Sequence, residues 1–290
     1  MFVRKLIILF LGFFLAVLMH SCEIINPKET IPSYIKIDSI GFSTLSHPEY
    51  GSSSHKISDA WVYADDQLIG AFELPAIIPI LLNGSHKISI KAGIKVDGIS
   101  ESRAIYPFYE SYTSDINLVP GSVLTINPNL TYNSYTVFEW KEAFEDGGIS
   151  LEKTLFSDTI IEKTSDPSQI FEGGYSGVIH LDENHSKFQG RTINSFVLPK
   201  GDSPVFLEMN YKTDEEILVG LFANSSSQIQ RLEVIHLLKT DVWKKIYINL
   251  NNAVNRAQVS DNYQVFFEIV KSSDAANSVI LLDNLKLLHN

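Results

Sequence analysis

Three short patterns in this chain place catalytic or metal-binding residue types at suggestive spacings. Gly174-Tyr-Ser-Gly-Val178 approaches the G-x-S-x-G pattern of a nucleophilic serine, but it breaks at the last position. Ser150-Leu-Glu-Lys153 satisfies S-x-x-K, but the chain has no K-T-G partner. His180 and His185 are five residues apart, a spacing that places them on neither one helix face nor one strand face. We therefore expect a protein that is not an enzyme.

Asp283 is a carboxylate in the middle of the last predicted strand, residues 278–288. Its neighbours of the same strand parity are all apolar, which predicts that Asp283 faces the core. These neighbours are Val279, Leu281, Leu285 and Leu287. A buried unpaired carboxylate is costly, so it would need a cation, a metal ion or several backbone donors. The alternative is that Asp283 lies at the edge of the strand and caps a neighbouring loop.

Aromatic side chains on loops are candidates for sugar recognition, because a flat ring can cover the apolar face of a pyranose. Tyr175 lies among glycines and serines and is the first candidate, followed by Phe188. Trp243 is a third candidate, although it opens a predicted strand and a structural role is the alternative. The aromatic run at residues 106–112 allows two interpretations: it forms a surface that docks a partner, or it is a loop folded over its own sheet.

The amino-terminal residues carry the features of an export signal. Arg4 and Lys5 precede fourteen uncharged residues, Leu6–Met19, a run too short for the roughly 20 residues that span a bilayer. The run ends in Leu18-Met-His-Ser-Cys22, which holds the only cysteine of the chain. This segment resembles the signal of bacterial lipoproteins, such as those of Bacteroidetes, in which the cysteine is acylated. An ordinary secretory signal is the alternative.

The lipoprotein resemblance implies an address outside the cytoplasm. Residues 1–21 would be the cleaved signal and residues 22–34 a tether, with lipid on Cys22 as the membrane anchor. We expect the outer membrane, with the periplasmic and surface faces both open.

The charge and cysteine content exclude several kinds of partner and site. The formal net charge is −11, which argues against nucleic acid as an electrostatic partner. The single cysteine permits no internal disulfide, and a lipidated Cys22 could serve neither a zinc site nor a catalytic pair. Stability must therefore come from packing.

The elements that would position any site are strands. Between residues 85 and 96, apolar residues alternate with lysine and serine, which predicts a half-buried strand. Residues 60–64 and 68–72 predict a hairpin, and residues 116–118 and 123–126 predict another. Similar alternation recurs beyond the turn-rich segment 127–136. We predict an all-β chain of two tandem antiparallel β-sandwiches, a small transthyretin- or Ig-like unit at 35–132 and a jelly roll at 133–290.

Two further resemblances carry expectations about each half. Asp59–Tyr63, Gln67–Gly70 and Gly84–Ile90 resemble the PEGA-type repeat, a small transthyretin-like sandwich that implies a non-catalytic spacer or docking module. The second half resembles galactose-binding-like jelly rolls of the carbohydrate-binding-module type. The segments that carry this second resemblance are Ala143–Gly147, Gly174–Leu181, Trp243–Leu250 and Val279–Leu287.

The jelly-roll resemblance implies both a ligand and a metal. In such domains an aspartate equivalent to Asp283 and an acid of the opening strand help to hold a structural calcium ion, and the opening acids here are Glu145 and Asp146. We therefore expect glycan binding by a cell-envelope lipoprotein, with calcium as a possible structural cofactor. The alternative is a structural or docking lipoprotein that holds an envelope protein in a complex.

Overall fold

A computed structural model describes residues 3, 4, 7, 10, 29–257 and 259–290. Cys22 and most of the predicted signal and tether lie outside the described residues, so lipidation stays a prediction. Within the described part of the chain, no helix has both the length and the apolar character needed to cross a bilayer.

The first half is built from strands of two to twelve residues and one 3-10 turn at Pro48–Tyr50. The strands are β1 (Ser33–Ile37), β2 (Gly41–Phe42), β3 (Asp59–Ala64), β4 (Gln67–Glu73), β5 (Ala76–Ile80), β6 (Gly84–Lys95), β7 (Arg103–Ile105), β8 (Tyr112–Leu118), β9 (Val123–Thr125) and β10 (Asn129–Leu130). One sheet has the order β4-β3-β6-β7 with β8 also on β6, and a second has the order β5-β1-β9. Strand β10 pairs with β2.

The predicted hairpin at residues 60–72 is present as β3 and β4. Asp65 and Asp66 connect the strands, and both have positive φ, at 48° and 64°, as a two-residue turn of the I′ kind requires. The second predicted hairpin is wrong. Strand β8 pairs with β6, whereas β9 crosses to the other sheet and pairs in parallel with β1. The Pro120-Gly121 turn therefore changes sheets instead of closing a hairpin.

The second half is a two-sheet sandwich with one short helix, α1 (Asn251–Arg256). Its strands are β11 (Val137–Glu142), β12 (Leu151–Lys153), β13 (Ile161–Thr164), β14 (Ser176–Leu181), β15 (Lys187–Thr192), β16 (Val205–Thr213), β17 (Ile217–Asn224), β18 (Ile229–Leu237), β19 (Thr240–Asn249), β20 (Asn262–Val270) and β21 (Ser278–His289). The six-stranded sheet has the order β13-β14-β21-β16-β19, with β11 also on β21. The five-stranded sheet has the order β12-β15-β20-β17-β18. The all-β fold class is confirmed.

The alternation of side chains in β21 changes at Asn284, which has a φ of 49°. Ile280 and Leu282 before it, and Leu285 and Leu287 after it, all face the sandwich core. Asp283 therefore points to the opposite, outer face of the six-stranded sheet. The prediction that Asp283 shares the core face with Leu285 and Leu287 is wrong, because a simple period of two assumes an uninterrupted strand.

The outer face of the six-stranded sheet packs against the first half. Phe206, Tyr247 and Leu288 of the second half belong to the apolar core of the first half. Tyr106 of the aromatic run is 1% exposed. Together with its buried neighbours Phe108 and Tyr109, it shows that the run folds inward and is not a free docking surface.

Glu208 of β16 lies at the centre of this contact and is fully buried. Its Oε1 accepts hydrogen bonds from the hydroxyls of Tyr106 at 2.7 Å and Tyr132 at 3.0 Å. Lys245 Nζ lies 2.7 Å from Oε2, and Lys286 Nζ donates to the Tyr132 hydroxyl at 3.1 Å. Desolvation opposes the charge of this carboxylate, but the charges of Lys245 and Lys286 and the hydrogen bonds to the carboxylate together outweigh it and lower the pKa of Glu208. The halves thus share a buried ionic network.

The segment 127–136 is not an exposed linker. It contains β10, and Tyr132 within it is 1% exposed and bonded to Glu208. Asn133 Nδ2 donates to the main-chain oxygen of Pro107 at 2.9 Å. The division of the chain into two units at 132/133 stays a prediction.

Candidate functional site

A cleft of about 880 Å³ follows strand β19, at the edge of the six-stranded sheet where the two halves meet. One wall is formed by residues 242–247 of β19 and by residues 235–238 from the end of β18. The first half contributes residues 54–56, 95 and 97–100. The loop at 95–100 is held in place because Asp97 N–H donates to the main-chain oxygen of Tyr247 at 2.9 Å.

The aromatic part of the cleft is a pair of rings, Trp243 and Phe171. Their centroids are 5.3 Å apart and their planes are inclined by 57°. Phe171 comes from the loop between β13 and β14, and its N–H donates to Ser176 Oγ at 3.0 Å. This hydrogen bond ties the loop to the start of β14. Trp243 is half-buried, so part of its ring is open to the cleft.

Asn210 of β16 also lines the cleft and is 1% exposed. Its Oδ1 is buried and has no hydrogen-bond partner among the described residues. A buried acceptor left unpaired costs about 1–3 kcal/mol. Because this oxygen is closed to solvent, a hydroxyl or amide of a ligand in the cleft could donate to it only after a neighbouring side chain moves aside. In the six-stranded sheet, Asn210 of β16 pairs with Lys245 of β19 on one side and with Asp283 of β21 on the other.

Asp283 is 1% exposed and is held by two hydrogen bonds on the outer face. Ser176 Oγ donates to its Oδ2 at 2.6 Å, and Asn284 N–H donates to its Oδ1 at 2.7 Å. Burial raises the pKa of Asp283 to about 7, and the nearby carboxylates of Glu172 and Glu145 add to the rise. The two hydrogen bonds oppose the rise without cancelling it.

The carboxylates of Glu145 and Glu172 fix the loop that carries Phe171. Glu145 Oε1 accepts the N–H groups of Gly174 at 2.9 Å and Tyr175 at 3.0 Å. Glu172 Oε1 accepts Asn284 Nδ2 at 2.8 Å. Glu145, which follows the opening strand, and Glu172 of the loop itself therefore fix the loop that carries one aromatic ring of the cleft.

The three residues predicted as calcium ligands already have other partners. Glu145 binds loop amides, Asp283 binds Ser176 and Asn284, and the main-chain oxygen of Asp146 accepts Lys163 Nζ. Within the described residues, no group of three or more His, Cys, Asp or Glu side chains is placed to hold a metal ion. The three therefore do not form a ready ligand set here, and calcium stays a prediction.

The three predicted sugar-binding aromatics lie in three different environments. Trp243 lines the cleft. Tyr175 is 43% exposed on its loop, with Lys163 Nζ 5.7 Å from its ring centroid. Phe188 is 1% exposed and belongs to the sandwich core. A role for Phe188 in ligand contact is thus inconsistent with the structure, because its position in β15 turns the ring inward over Gly190.

The residues singled out for catalysis have structural partners. Ser176 Oγ is used by Asp283, and Ser150 Oγ donates to Glu142 Oε2 at 2.6 Å. His185 lies 3.1 Å from Asp182 Oδ1 in an exposed turn, and His180 is exposed. These contacts stabilise turns and strand ends.

Sequence reasoning missed Phe171 and Asn210. Phe171 has no neighbour in the sequence that marks it, since its contact with Trp243 joins residues 72 positions apart. Asn210 lies in an alternating strand where nothing indicates that its oxygen is unpaired.

Comparisons with known proteins give similarities in fold alone. No family model matches the chain, and no curated protein matches it. Among solved structures, the chain is similar to the carbohydrate-binding module TmCBM61, solved with β-1,4-galactotriose. The TM-score is 0.36 at 15% identity, over 53% of this chain and 99% of that chain.

Two further solved structures are similar at the same level. A carbohydrate-binding module of the β-sandwich superfamily has a TM-score of 0.40 at 12% identity, over 90% of this chain and 99% of that one. The CBM22-2 xylan-binding domain of Xyn10C from Paenibacillus barcinonensis has a TM-score of 0.38 at 14% identity, over 52% and 99%. Values this low say nothing about what this chain binds.

Proposed function

We propose that this protein binds a glycan in the cleft beside Trp243 and catalyses no reaction. Lipid on Cys22 would hold it at a membrane outside the cytoplasm, with the outer membrane as the expected one. The observation that carries the proposal is the pairing of Trp243 with Phe171 in a cleft between the two halves of the protein.

The chemistry of a sugar ring matches three groups of the cleft. The C–H face of a pyranose packs on an aromatic ring, and Trp243 and Phe171 offer two rings at an angle. If a neighbouring side chain moves aside, a hydroxyl at the rim of the sugar can donate to Asn210 Oδ1, which removes the cost of its burial. Ligand sites of this kind combine an apolar wall with a few placed polar groups.

The test uses the full chain made soluble by Cys22→Ser. A glycan array identifies a bound sugar, and isothermal titration calorimetry then measures its affinity for Trp243→Ala, Phe171→Ala and a control, Phe156→Ala. Phe156 is 71% exposed in the same half and does not line the cleft. Loss of one stacking ring is worth about 1–2 kcal/mol, so we expect each cleft variant to bind roughly five- to thirtyfold more weakly.

The outcomes separate the candidate sites. Unchanged affinity in Trp243→Ala, with a loss in Tyr175→Ala, would move the site to the exposed loop. The absence of any bound glycan on the array would refute the proposal.

A docking role is the second candidate, and one surface favours it. The outer face of the sheet β5-β1-β9 exposes Ile77 (58%), Leu81 (66%) and Val123 (56%). Apolar side chains grouped on one face of a sheet are typical of protein contacts. If the protein is a docking lipoprotein, Ile77→Asp should abolish its co-purification with an envelope protein, while Trp243→Ala should not.

A further inference from the structure

The charge of the cleft is opposite to the charge of the protein. The chain carries a net charge of −11, yet four lysines line the cleft: Lys56, Lys95, Lys244 and Lys245. Asp97 is the only residue with a carboxylate among the described residues that line it. A basic cleft in an acidic protein would draw an anion to that one place by long-range attraction.

Two of these lysines have no compensating partner. Lys56 and Lys244 are exposed at the cleft, and neither makes an ion pair with any described residue. Lys95 is partly engaged, at 3.7 Å from Glu73 Oε1. Lys245 is neutralised by Glu208 at 2.7 Å, so it contributes little net charge.

The backbone around the unpaired lysines is held in place. Lys56 N–H donates to the Tyr247 hydroxyl at 2.8 Å, and Tyr247 is 1% exposed. Lys244 lies in β19 directly after Trp243 and opposite Tyr211 of β16 in the register. One positive charge therefore comes from each half of the protein. Because neighbouring residues of a strand point to opposite faces, the side chain of Lys244 leaves β19 on the face opposite to Trp243, across the edge of the sheet from the aromatic pair.

The one carboxylate of the cleft is already occupied. Asp97 Oδ1 accepts the N–H of Asn249 at 2.8 Å, and burial raises the pKa of this carboxyl group above its ordinary value. Asp97 therefore sets one negative charge in the cleft against the two unpaired lysines, and the sum of these three charges is positive.

We propose that the cleft takes an anionic glycan, with a sugar ring on Trp243 and Phe171 and its acidic groups attracted by Lys56 and Lys244, the two unpaired lysines of the cleft. This inference rests on the proposed glycan binding and adds the charge class of the ligand. The acidic group is a carboxylate or a sulfate ester, since an ammonium pairs with either. The aromatic pair Trp243 and Phe171 in the same cleft favours a sugar over an acidic peptide, because a peptide carboxylate brings no flat apolar ring face.

The experiment pairs each charged polymer with a neutral one of the same backbone. Polygalacturonate is compared with its full methyl ester, and dextran sulfate with dextran, so that carboxylate and sulfate are tested separately. Binding to soluble full chain with Cys22→Ser is measured by calorimetry in 50 mM and 500 mM NaCl. We expect tighter binding to one charged polymer than to its neutral match, and weaker binding at high salt because ions screen the lysines.

The matched variants are Lys56→Gln/Lys244→Gln and the control Lys36→Gln/Lys153→Gln, which removes the same charge elsewhere on the surface. We expect the cleft variant to bind the charged polymer roughly five- to thirtyfold more weakly and the control to change less than about twofold. Trp243→Ala should weaken binding too, which separates recognition of a sugar from simple ion exchange.

Each other result has a defined meaning. Equal binding of charged and neutral polymers, or unchanged binding in the cleft variant, overturns the inference and leaves glycan binding in place. Full displacement by poly-glutamate, or binding of a charged polymer unaffected by Trp243→Ala, also overturns it. If no glycan binds at all, the proposed function fails together with the inference.

Discussion

The carboxyl group of Asp283 should make the stability of this protein fall between pH 4 and pH 7. Asp283 is buried on the outer face of the six-stranded sheet, and its pKa is raised from 3.8 to about 7. The folded protein therefore prefers the protonated form, whereas the unfolded chain ionises near pH 3.8. The stability contributed by this preference is fully present below pH 3.8 and is lost as pH rises through about 7.

The size of the effect follows from the shift. Each pKa unit corresponds to about 1.4 kcal/mol, so ionisation of Asp283 lowers the free energy of unfolding by about 4 kcal/mol across this range. Asp283→Asn keeps the shape of the side chain and removes the titration. Its amide oxygen can accept Asn284 N–H and its amide nitrogen can donate to Ser176 Oγ. At pH 8 the variant should be more stable than the natural protein.

Urea denaturation at pH 4, 5, 6, 7 and 8 measures this difference. The free energy of unfolding of Asp283→Asn minus that of the natural protein should rise with pH by about 1.4 kcal/mol per unit between pH 4 and pH 7. Asp158→Asn, which removes an exposed carboxylate from the same half, is the control and should show no such rise. A difference that does not depend on pH would refute the reasoning, since it would mean that Asp283 ionises freely in the folded protein.

The same titration tests the predicted calcium ion. Calcium would bind the ionised carboxylate. At a pH above 7, the urea concentration at the unfolding midpoint should therefore be higher in 1 mM calcium than with a chelator. Asp283→Asn should abolish that increase. Identical midpoints with and without calcium would leave Asp283 as a buried hydrogen-bonded acid.

Two further predictions concern the contact between the halves and the anchor. Glu208→Gln leaves Lys245 and Lys286 buried without their counter-charge, so urea denaturation should show a loss of about 3–5 kcal/mol. The exposed control Glu216→Gln should lose less than about 1 kcal/mol, and equal losses would contradict a buried network. For the anchor, Cys22→Ser should move the protein from the membrane pellet to the soluble fraction after cell fractionation. Persistence of the processed variant in the pellet would rule out lipid as the anchor.

Much of the strand content could be predicted because alternation is a local signal. In β6, Ile88, Ile90 and Ile94 are each fully buried, as the pattern between residues 85 and 96 predicts. The hairpin β3–β4 could be predicted equally well, since its turn residues and strands are adjacent in the sequence. The pattern failed where the backbone departs from regular geometry, as it does at Asn284 in β21.

Only part of the candidate site could be predicted from the sequence. Trp243 could be named because tryptophan is rare and opens a recognisable strand, but its partner could not. Phe188 was misassigned because the alternation of a short strand does not say which of its faces becomes the core. The sheet order decides that, and it depends on pairing between residues far apart.

The sequence by itself predicted the all-β class, which the structure confirms, and an export signal, which stays a prediction. Both depend on the pattern of residues that are neighbours along the chain. Only the tertiary structure decided where a ligand could bind. It brought Phe171 against Trp243, left Asn210 Oδ1 without a partner, and placed Lys56 of the first half in the same cleft as Lys244 of the second. The physical reason is that burial and charge at a site are sums over groups that only folding brings together.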